Sequence, residues 1–473
     1  MFKTTLKHVN SDELAALIGQ HVLQQLLVRV TSMIGFARDS ASTNGAAIRR
    51  LLPIFTHAVN GLCYCHTLCH VGERFELELL DEFMSDWISL VYSHAGAKRV
   101  WSDLLGGSCK GFSKVRWYCR AEIEMEIGRN FPLAIQAMRT FQQREYGDVT
   151  TSRMLECYNS NALKLEMQFA AMLDQESLVR TTYELEGDRL EILLAFDRIE
   201  QLRAKGRALG DENSLPNVDG VIRKSITLRK GLKVRKYFEG HGLCDGKISV
   251  IDDPNAGGEG VESTMYPGRV VTAFEVTYTS DQSKEDFEEH EVRRLLVCVD
   301  NDDRKAIVAG LRQGYNYLED RLAGRCQVNY DCSESYRVLK LARAFDPELA
   351  VNLKLADWVD ELAGITPIDK KNLLPQMKIE LATYLAVAAS ARLNRLDIPK
   401  YTTEILNWWR IHNTDFPTWA TAARIVFALT PNSAMCERVF SLMESMFGQT
   451  QGASLSDQLQ GSLMLRFNKR MLG

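Results

Sequence analysis

Pro431-Asn432-Ser433-Ala434-Met435-Cys436-Glu437-Arg438-Val439-Phe440-Ser441 is the most specific stretch of this 473-residue chain. Proline fixes its own backbone and has no N–H to lose, so Pro431 suits a helix start, and Val439, Phe440, Leu442 and Met443 then give that helix an apolar stripe. Taken alone, Glu437 and Arg438 read as the solvated face of an amphipathic helix. Upstream lie a helix with Trp408-Trp409 and a Phe416-Pro417 turn, and downstream the run Leu463 to Asn468. The C-terminal region is therefore helical, with large apolar side chains to cover.

Working back to the N-terminus, Asn10-Ser11 offers a helix cap, with apolar residues at helical spacing through Leu27. Val30 to Ala37 reads as a short buried strand. It leads into the polar turn Arg38-Asp39-Ser40-Ala41-Ser42-Thr43-Asn44-Gly45 and a helix through Phe55. A second strand, Ala58 to Cys65, and a helix from Phe75 to Tyr92 follow, and this alternation implies an α/β core. From Ala121 to Lys205 the pattern is amphipathic helix. Gly206 to Gly220 reads as a linker, and alternation then predicts strands at Leu232–Phe238, Lys247–Ile251 and Val270–Tyr278. Helical periodicity resumes near Asp303, with breaks at Pro347, Pro367 and Pro399.

Composition sets outer bounds. The chain is 45% hydrophobic and 25% charged with a net charge of -4, which excludes a uniformly basic surface. Eleven cysteines without regular spacing fit a reducing compartment better than a disulfide scaffold. No stretch approaches the roughly 18 apolar residues of a membrane span, and no membrane partner is expected.

The C-terminal stretch closely resembles the signature of hAT-superfamily DNA transposases, in which a tryptophan-bearing helix, a Phe-Pro turn and a Pro-x-Ser-Ala-x-x-Glu-Arg-x-Phe-Ser segment follow in that order. Earlier matches keep the same order. Asp39 with its neighbours is similar to the segment carrying the family's second catalytic aspartate. Cys63-Tyr64-Cys65-His66 looks like its Cys-x-x-His strand, and Ser113-Lys114-Val115-Arg116-Trp117 like its Ser/Thr-x-x-Arg-Trp motif. The resemblance implies an RNase H-like core with Asp39 and Glu437 as two of three catalytic carboxylates. It also implies Mg²⁺ or Mn²⁺ as cofactor, Arg116 and Trp117 at the nucleic acid, a C-terminal dimerisation region and a nuclear location. In-line phosphodiester chemistry uses two cations roughly 3.5–4 Å apart, held by hard oxygen ligands, which accounts for the carboxylates.

Three departures bear on this reading. The family's first catalytic aspartate lies on a strand well upstream of the second, whereas Asp12 alone precedes Asp39 and sits at a helix start. No zinc-finger pattern precedes Asp39, and Gly452-Ala453 stands where an arginine is usual. The first strand and its aspartate are therefore expected to be missing, leaving Asp39 and Glu437 vestigial. The cluster Cys63, Cys65, His66, Cys69 and His70 has metal-ligand chemistry. Neighbours on a strand point to opposite faces, however, which favours a core strand over a zinc site.

Residues 231 to 296 resemble small Tudor-like barrels of the SH3 type, with an acidic turn (Asp281, Glu285, Asp286, Glu288, Glu289) after a Phe-x-Val-x-Tyr strand. Such modules hold methylated lysine or arginine in aromatic cages, and Tyr237, Phe238, Phe274 and Tyr278 are the candidate cage. On alternation Phe274 and Tyr278 share a face.

The expected fold is α/β plus mostly α: an incomplete RNase H-like core interrupted by a long helical insertion that carries the small β-barrel. The expected domains are a core at 1–125, a helical insertion at 126–225, the Tudor-like barrel at 226–298, a second helical part at 299–405 and the dimerisation segment at 406–473. The expected function is that of a transposase-derived dimerising protein, DNA- or chromatin-associated and without catalysis. Two alternatives stand beside it: an active transposase whose N-terminal exon is missing, and a histone-tail reader scaffold. The expected partners are a second copy of the chain, DNA and a histone tail.

Overall fold

The computed structural model describes residues 10–113, 117–158, 160–173, 177–187, 190–209, 228–297, 301–328 and 330–433. The chain is mostly helical and divides into two compact units. One comprises Met1–Glu73, Ser177–Lys205 and Gly314–Gly473, the other Arg74–Glu176 and Gly206–Gln313.

In the first unit, α1 (Ser11–Gln20) begins at a capping box. The Asn10 side chain accepts the N–H groups of Asp12 and Glu13, and the Glu13 carboxylate accepts that of Asn10. α1 packs on α2 (Ser42–Leu51) around Ala15, Val22, Ala47, Ile48, Leu51 and Phe55. Between them run β1 (Gly35–Arg38) and, beyond α2, β2 (Val59–Leu62), paired in parallel with Gly35 opposite Val59 and Arg38 opposite Leu62.

Both strands are shorter than the sequence suggests. Val30–Ser32 forms a single 3₁₀ turn, and the chain after Leu62 turns at once into α3 (Tyr64–Gly72). The reason lies in the hydrogen bonding. The Cys63 N–H closes the last rung on the Arg38 carbonyl, and the Tyr64 N–H goes instead to the Pro431 carbonyl, so the ladder stops there. Cys63 and His66 consequently stand at a helix start, not on a strand, and the opposite-face argument does not apply to them.

Further along the same unit, Pro347, Pro367 and Pro399 each fall in the first turn of a helix (Pro347–Asn352, Thr366–Lys370, Ile398–Ile411), where no intrahelical N–H bond is lost. The sequence breaks are helix starts. Consecutive acceptors at residues 344–346 then gather distant helices. The Ala344 carbonyl takes the Tyr384 hydroxyl at 2.7 Å and the Phe345 carbonyl takes the Trp409 indole at 2.9 Å. The fully buried Asp346 carboxylate takes the Tyr401 hydroxyl at 2.7 Å and the Arg395 guanidinium at 2.8 Å.

The helical part of the second unit packs around Trp87 and Trp101, both fully buried and edge-on with ring centroids 5.1 Å apart. Its other module is an antiparallel sheet in the order β3 (Lys233–Phe238), β4 (Gly242–Asp252), β7 (Ala273–Tyr278), β8 (Lys284–Glu288), with the short pair β5 (Val261–Glu262) and β6 (Val270–Val271) beside it. A bulge between Ile248 and Val250 bends β4, and the sheet curls into half a barrel whose edges are β3 and β8. Val234, Ile248, Phe274, Val276, Tyr278 and Phe287 fill its inner side, so Phe274 and Tyr278 do share a face. The acidic segment differs from its sequence reading. Glu285, Asp286 and Glu288 lie within β8, and Glu288 caps the helix Glu289–Leu295 through a box with Glu291.

In the helical part, burial pushes the Glu166 carboxyl from 4.5 up to about 7, against the bond it accepts from the Leu80 N–H. The folded state thus keeps a proton that the unfolded chain releases near 4.5. Stability fully present below that pH is lost as pH rises through 7. Chemical denaturation at pH 5 and pH 8 should show wild type losing on the order of 1–3 kcal/mol more than Glu166→Gln, which keeps an acceptor without a titrating group. An equal loss in both proteins would remove Glu166 as the cause.

Candidate functional site

Asp39 follows β1 directly, at the carboxyl end of a parallel strand pair. Its Oδ1 accepts the Ala41 N–H at 2.9 Å and the Asn44 side-chain amide at 2.7 Å, an arrangement that turns the chain into α2. Beside it the buried Arg38 donates through Nε to Asn60 at 3.0 Å and through Nη1 to the Asp39 carbonyl at 3.0 Å, locking the end of β1 to β2. Burial, with Arg49 nearby, lowers the Arg38 guanidinium from its ordinary value. Ser40 accepts from the buried Arg321 at 2.8 Å.

The segment leading to Glu437 docks at the same end of the strand pair. The Pro431 carbonyl accepts from Tyr64 at 2.9 Å, and the Ser433 N–H donates to the Cys63 thiol sulfur at 3.2 Å. The Cys65 thiol, His66 and the Ser433 side chain together pull the Cys63 thiol well below its usual range despite burial, while Cys65 is pushed up in turn. Cys63 is thus the residue on which β2, α3 and the lead-in to the signature converge. Glu437 itself lies outside the described residues.

Arg116 also lies outside the described residues. Trp117 opens the helix Trp117–Arg129 in the second unit, where its ring stands edge-on to Phe75 at 5.9 Å. Among the described residues no three His, Cys, Asp or Glu side chains gather as a metal site. Among the described residues Asp39 offers this end of the strand pair a single carboxylate, with one oxygen already accepting two N–H groups, whereas Mg²⁺ or Mn²⁺ needs several hard oxygens.

Of the candidate cage aromatics, Phe238 meets Tyr278 edge-on at 5.1 Å, and Phe274 is buried on the same inner face as Tyr278, with Val276 between them. Tyr237 is 67% exposed and paired with Leu243 on the outer face, so it is not brought to the other three. Sequence reasoning missed Phe287, the inner residue of β8 opposite Phe274. The alternation of Lys284–Glu288 carried that signal.

A cavity of about 150 Å³ lies against the pair β1–β2, lined by Gly35, Ala37, Gly61, Val338, Leu429 and Pro431 among others. Two glycines of this sheet stand close to their neighbours. A Cβ on Gly35 would stand 2.8 Å from the Leu429 side chain, and one on Gly61 2.9 Å from the Phe36 carbonyl oxygen.

Comparison with known proteins accords with this C-terminal architecture. The model of the hAT family C-terminal dimerisation region matches residues 380–456, which supports membership of the hAT family and self-association. No curated protein matches the chain. The match begins in the helix Leu374–Ala388 at Glu380. The Glu380 carboxylate takes the N–H groups of Thr418 and Trp419 at 2.9 and 3.2 Å, holding the start of the helix Pro417–Phe427 behind the Phe416-Pro417 turn. Among the described residues no helix is long and apolar enough to cross a membrane.

Gly61→Ala should destabilise the chain by about 1–3 kcal/mol, because its Cβ meets backbone rather than a yielding side chain. Ala37→Gly, which removes a Cβ from the neighbouring strand, should cost less, since Ala37 meets no such obstruction. Denaturant melts that rank the two the other way would contradict the close approach of β1 and β2.

Proposed function

We propose that the chain is a transposase-derived protein that works by self-association, is DNA- or chromatin-associated in the nucleus, and does not itself cleave DNA. The observation that carries self-association is the helix Leu374–Ala388, at whose seventh residue, Glu380, the family match begins. Met377, Tyr384 and Ala388 are buried on one side, whereas Ile379, Ala382 and Ala386 are exposed on the other, Ile379 at 73%. A surface helix ordinarily turns polar residues outward, so an apolar outer stripe is the mark of a face to be covered. Ile411, 66% exposed at the end of the helix Ile398–Ile411, adds to the apolar surface of the region.

Of the pair Trp408-Trp409, Trp409 serves the interior, while Trp408 is half-buried against Trp409, His412 and Phe416. The Trp409 indole N–H donates to the Phe345 carbonyl, and Tyr384, Phe416 and Phe427 surround its ring. The downstream apolar residues Val439, Phe440, Leu463, Leu465 and Phe467 lie outside the described residues. Deleting residues 406–473 would strip this core, so surface substitution is the cleaner test. In sedimentation at micromolar concentration the full chain should run as a dimer or larger species, and Ile379→Glu with Ala386→Glu should shift it to monomer with unchanged circular dichroism. A wild-type monomer would end the reading.

The RNase H-like reading is supported by the β1–α2–β2 unit, by Asp39 at the end of β1, and by the docking of Pro431–Ser433 at the neighbouring strand end. The absence of catalysis is supported by the commitment of Asp39 Oδ1 to Ala41 and Asn44. Purified full-length chain given DNA ends with Mg²⁺ or Mn²⁺ should neither nick nor join them. Metal-dependent nicking that disappears in Asp39→Ala or Glu437→Ala would establish the active transposase instead.

A further inference from the structure

The ladder between β1 and β2 fixes which main-chain groups face each edge of the pair. The Val59 N–H donates to the Ile34 carbonyl at 3.0 Å and the Cys63 N–H to the Arg38 carbonyl at 2.7 Å, with Gly35 opposite Val59 and Ala37 opposite Gly61. In a parallel ladder a strand bonds its partner through alternate residues. β1 therefore meets β2 through Ile34, Phe36 and Arg38, and Gly35 and Ala37 turn N–H and C=O to the far edge. The sheet has two strands, and among the described residues nothing bonds the main chain of Gly35 or Ala37 there. Ala37 is exposed, so solvent reaches this edge.

The pocket of about 150 Å³ beside the pair borders the same edge. Successive residues of a strand turn to opposite faces, yet Ile34, Gly35, Phe36 and Ala37 all line it, so it touches the backbone of β1 as well as one face of the sheet. Val338, Leu339 and Leu429 wall it with aliphatic carbon. Its hydroxyls are engaged with other groups. Tyr64 and Ser335 share a hydrogen bond of 3.0 Å, and Thr430 donates to the Asn432 carbonyl at 3.1 Å. A space of this size takes one aliphatic or phenyl side chain and asks for no polar group.

We propose that the free edge of β1 binds an extended segment of a partner protein by strand addition, with main-chain hydrogen bonds at Gly35 and Ala37 and one aliphatic side chain in the pocket. An unpaired strand edge is a template for another strand, and a neighbouring pocket selects its side chain. A helix spends its main-chain groups internally, so only an extended segment offers N–H and C=O groups to the edge together with a side chain to the pocket.

The test uses the full chain and the peptide acetyl-Thr-Val-Thr-Leu-Thr-amide, whose Val and Leu share one face, with hydrogen–deuterium exchange read at single residues. In the free chain the Gly35 and Ala37 amides should exchange at least tenfold faster than those of Phe36 and Arg38. Millimolar peptide should slow Ala37 at least fivefold, and the same peptide N-methylated at its three central residues should not. Ala37→Pro removes one N–H from the free edge and leaves the ladder to β2 intact, as proline is tolerated on an edge strand. It should bind the peptide at least tenfold more weakly by fluorescence polarisation, with circular dichroism to confirm folding. No slowing by the unmethylated peptide, equal slowing by the methylated one, or undiminished binding to a folded Ala37→Pro overturns the proposal. Exchange in wild type decides the matter alone should that variant not fold. An Ala37 amide that is protected in the free chain and exposed on dilution would assign the edge to a second copy, and overturns the proposal equally.

Discussion

The C-terminal helices of the first unit depend on one buried negative charge. Asp346 has no solvent exposure, and a carboxylate so placed is tolerable only when every lone pair is met. Arg395 meets it bidentately, Tyr401 through its hydroxyl and Leu349 through its N–H, so a loop and two helices are fixed to a single side chain. The two carbonyls just before it do the same for Tyr384 and Trp409. Removing one partner would leave a desolvated charge, a loss of roughly 3–5 kcal/mol. The region therefore has little freedom to rearrange, and the aromatic cluster of Tyr384, Trp409, Phe416 and Trp419 packs around a fixed frame.

That rigidity bears on function. An association surface needs side chains held in place before the partner arrives, because ordering them at the moment of contact costs affinity. The helix Leu374–Ala388 is fixed from within by Met377, Glu380 and Tyr384 and carries Ile379, Ala382 and Ala386 exposed on its outer side. Glu380 does two things at once: it anchors this helix and neutralises the positive end of the helix Pro417–Phe427, at Thr418 and Trp419. The half-barrel of the second unit follows a different logic. Its sheet is open between β3 and β8, and charged and aromatic side chains, not main-chain hydrogen bonds, span the gap at Lys236 and Glu285.

Local features were legible in the sequence where the physics is local. Asn10 with Glu13 forms the predicted helix start. The three prolines mark helix boundaries, and period-two alternation put Phe274 and Tyr278 on one face. The ordered C-terminal motif carried the resemblance that the match to residues 380–456 supports, since such a motif is a property of the chain's own order. Strand ends were less legible. A short apolar run such as Ala58–Cys65 has no period that separates strand from buried helix, and here the switch at Cys63 is imposed by Pro431.

What tertiary structure alone decided is which way each versatile side chain turns. Trp409 and Trp419 could by composition line an interface, yet carbonyls at Phe345 and Met377 claim their indoles for the core. Acidic residues that read as a solvated turn became strand β8, because β7 offers the segment a paired edge. Lys236 reads as a surface lysine until the sheet curls and carries Glu285 and Phe287 to it from some fifty residues away in the chain. The sequence determines propensity, capping and motif order within a few residues. It does not encode in any local pattern the partners that folding brings from elsewhere, and buried hydrogen bonds and charges are settled by those partners.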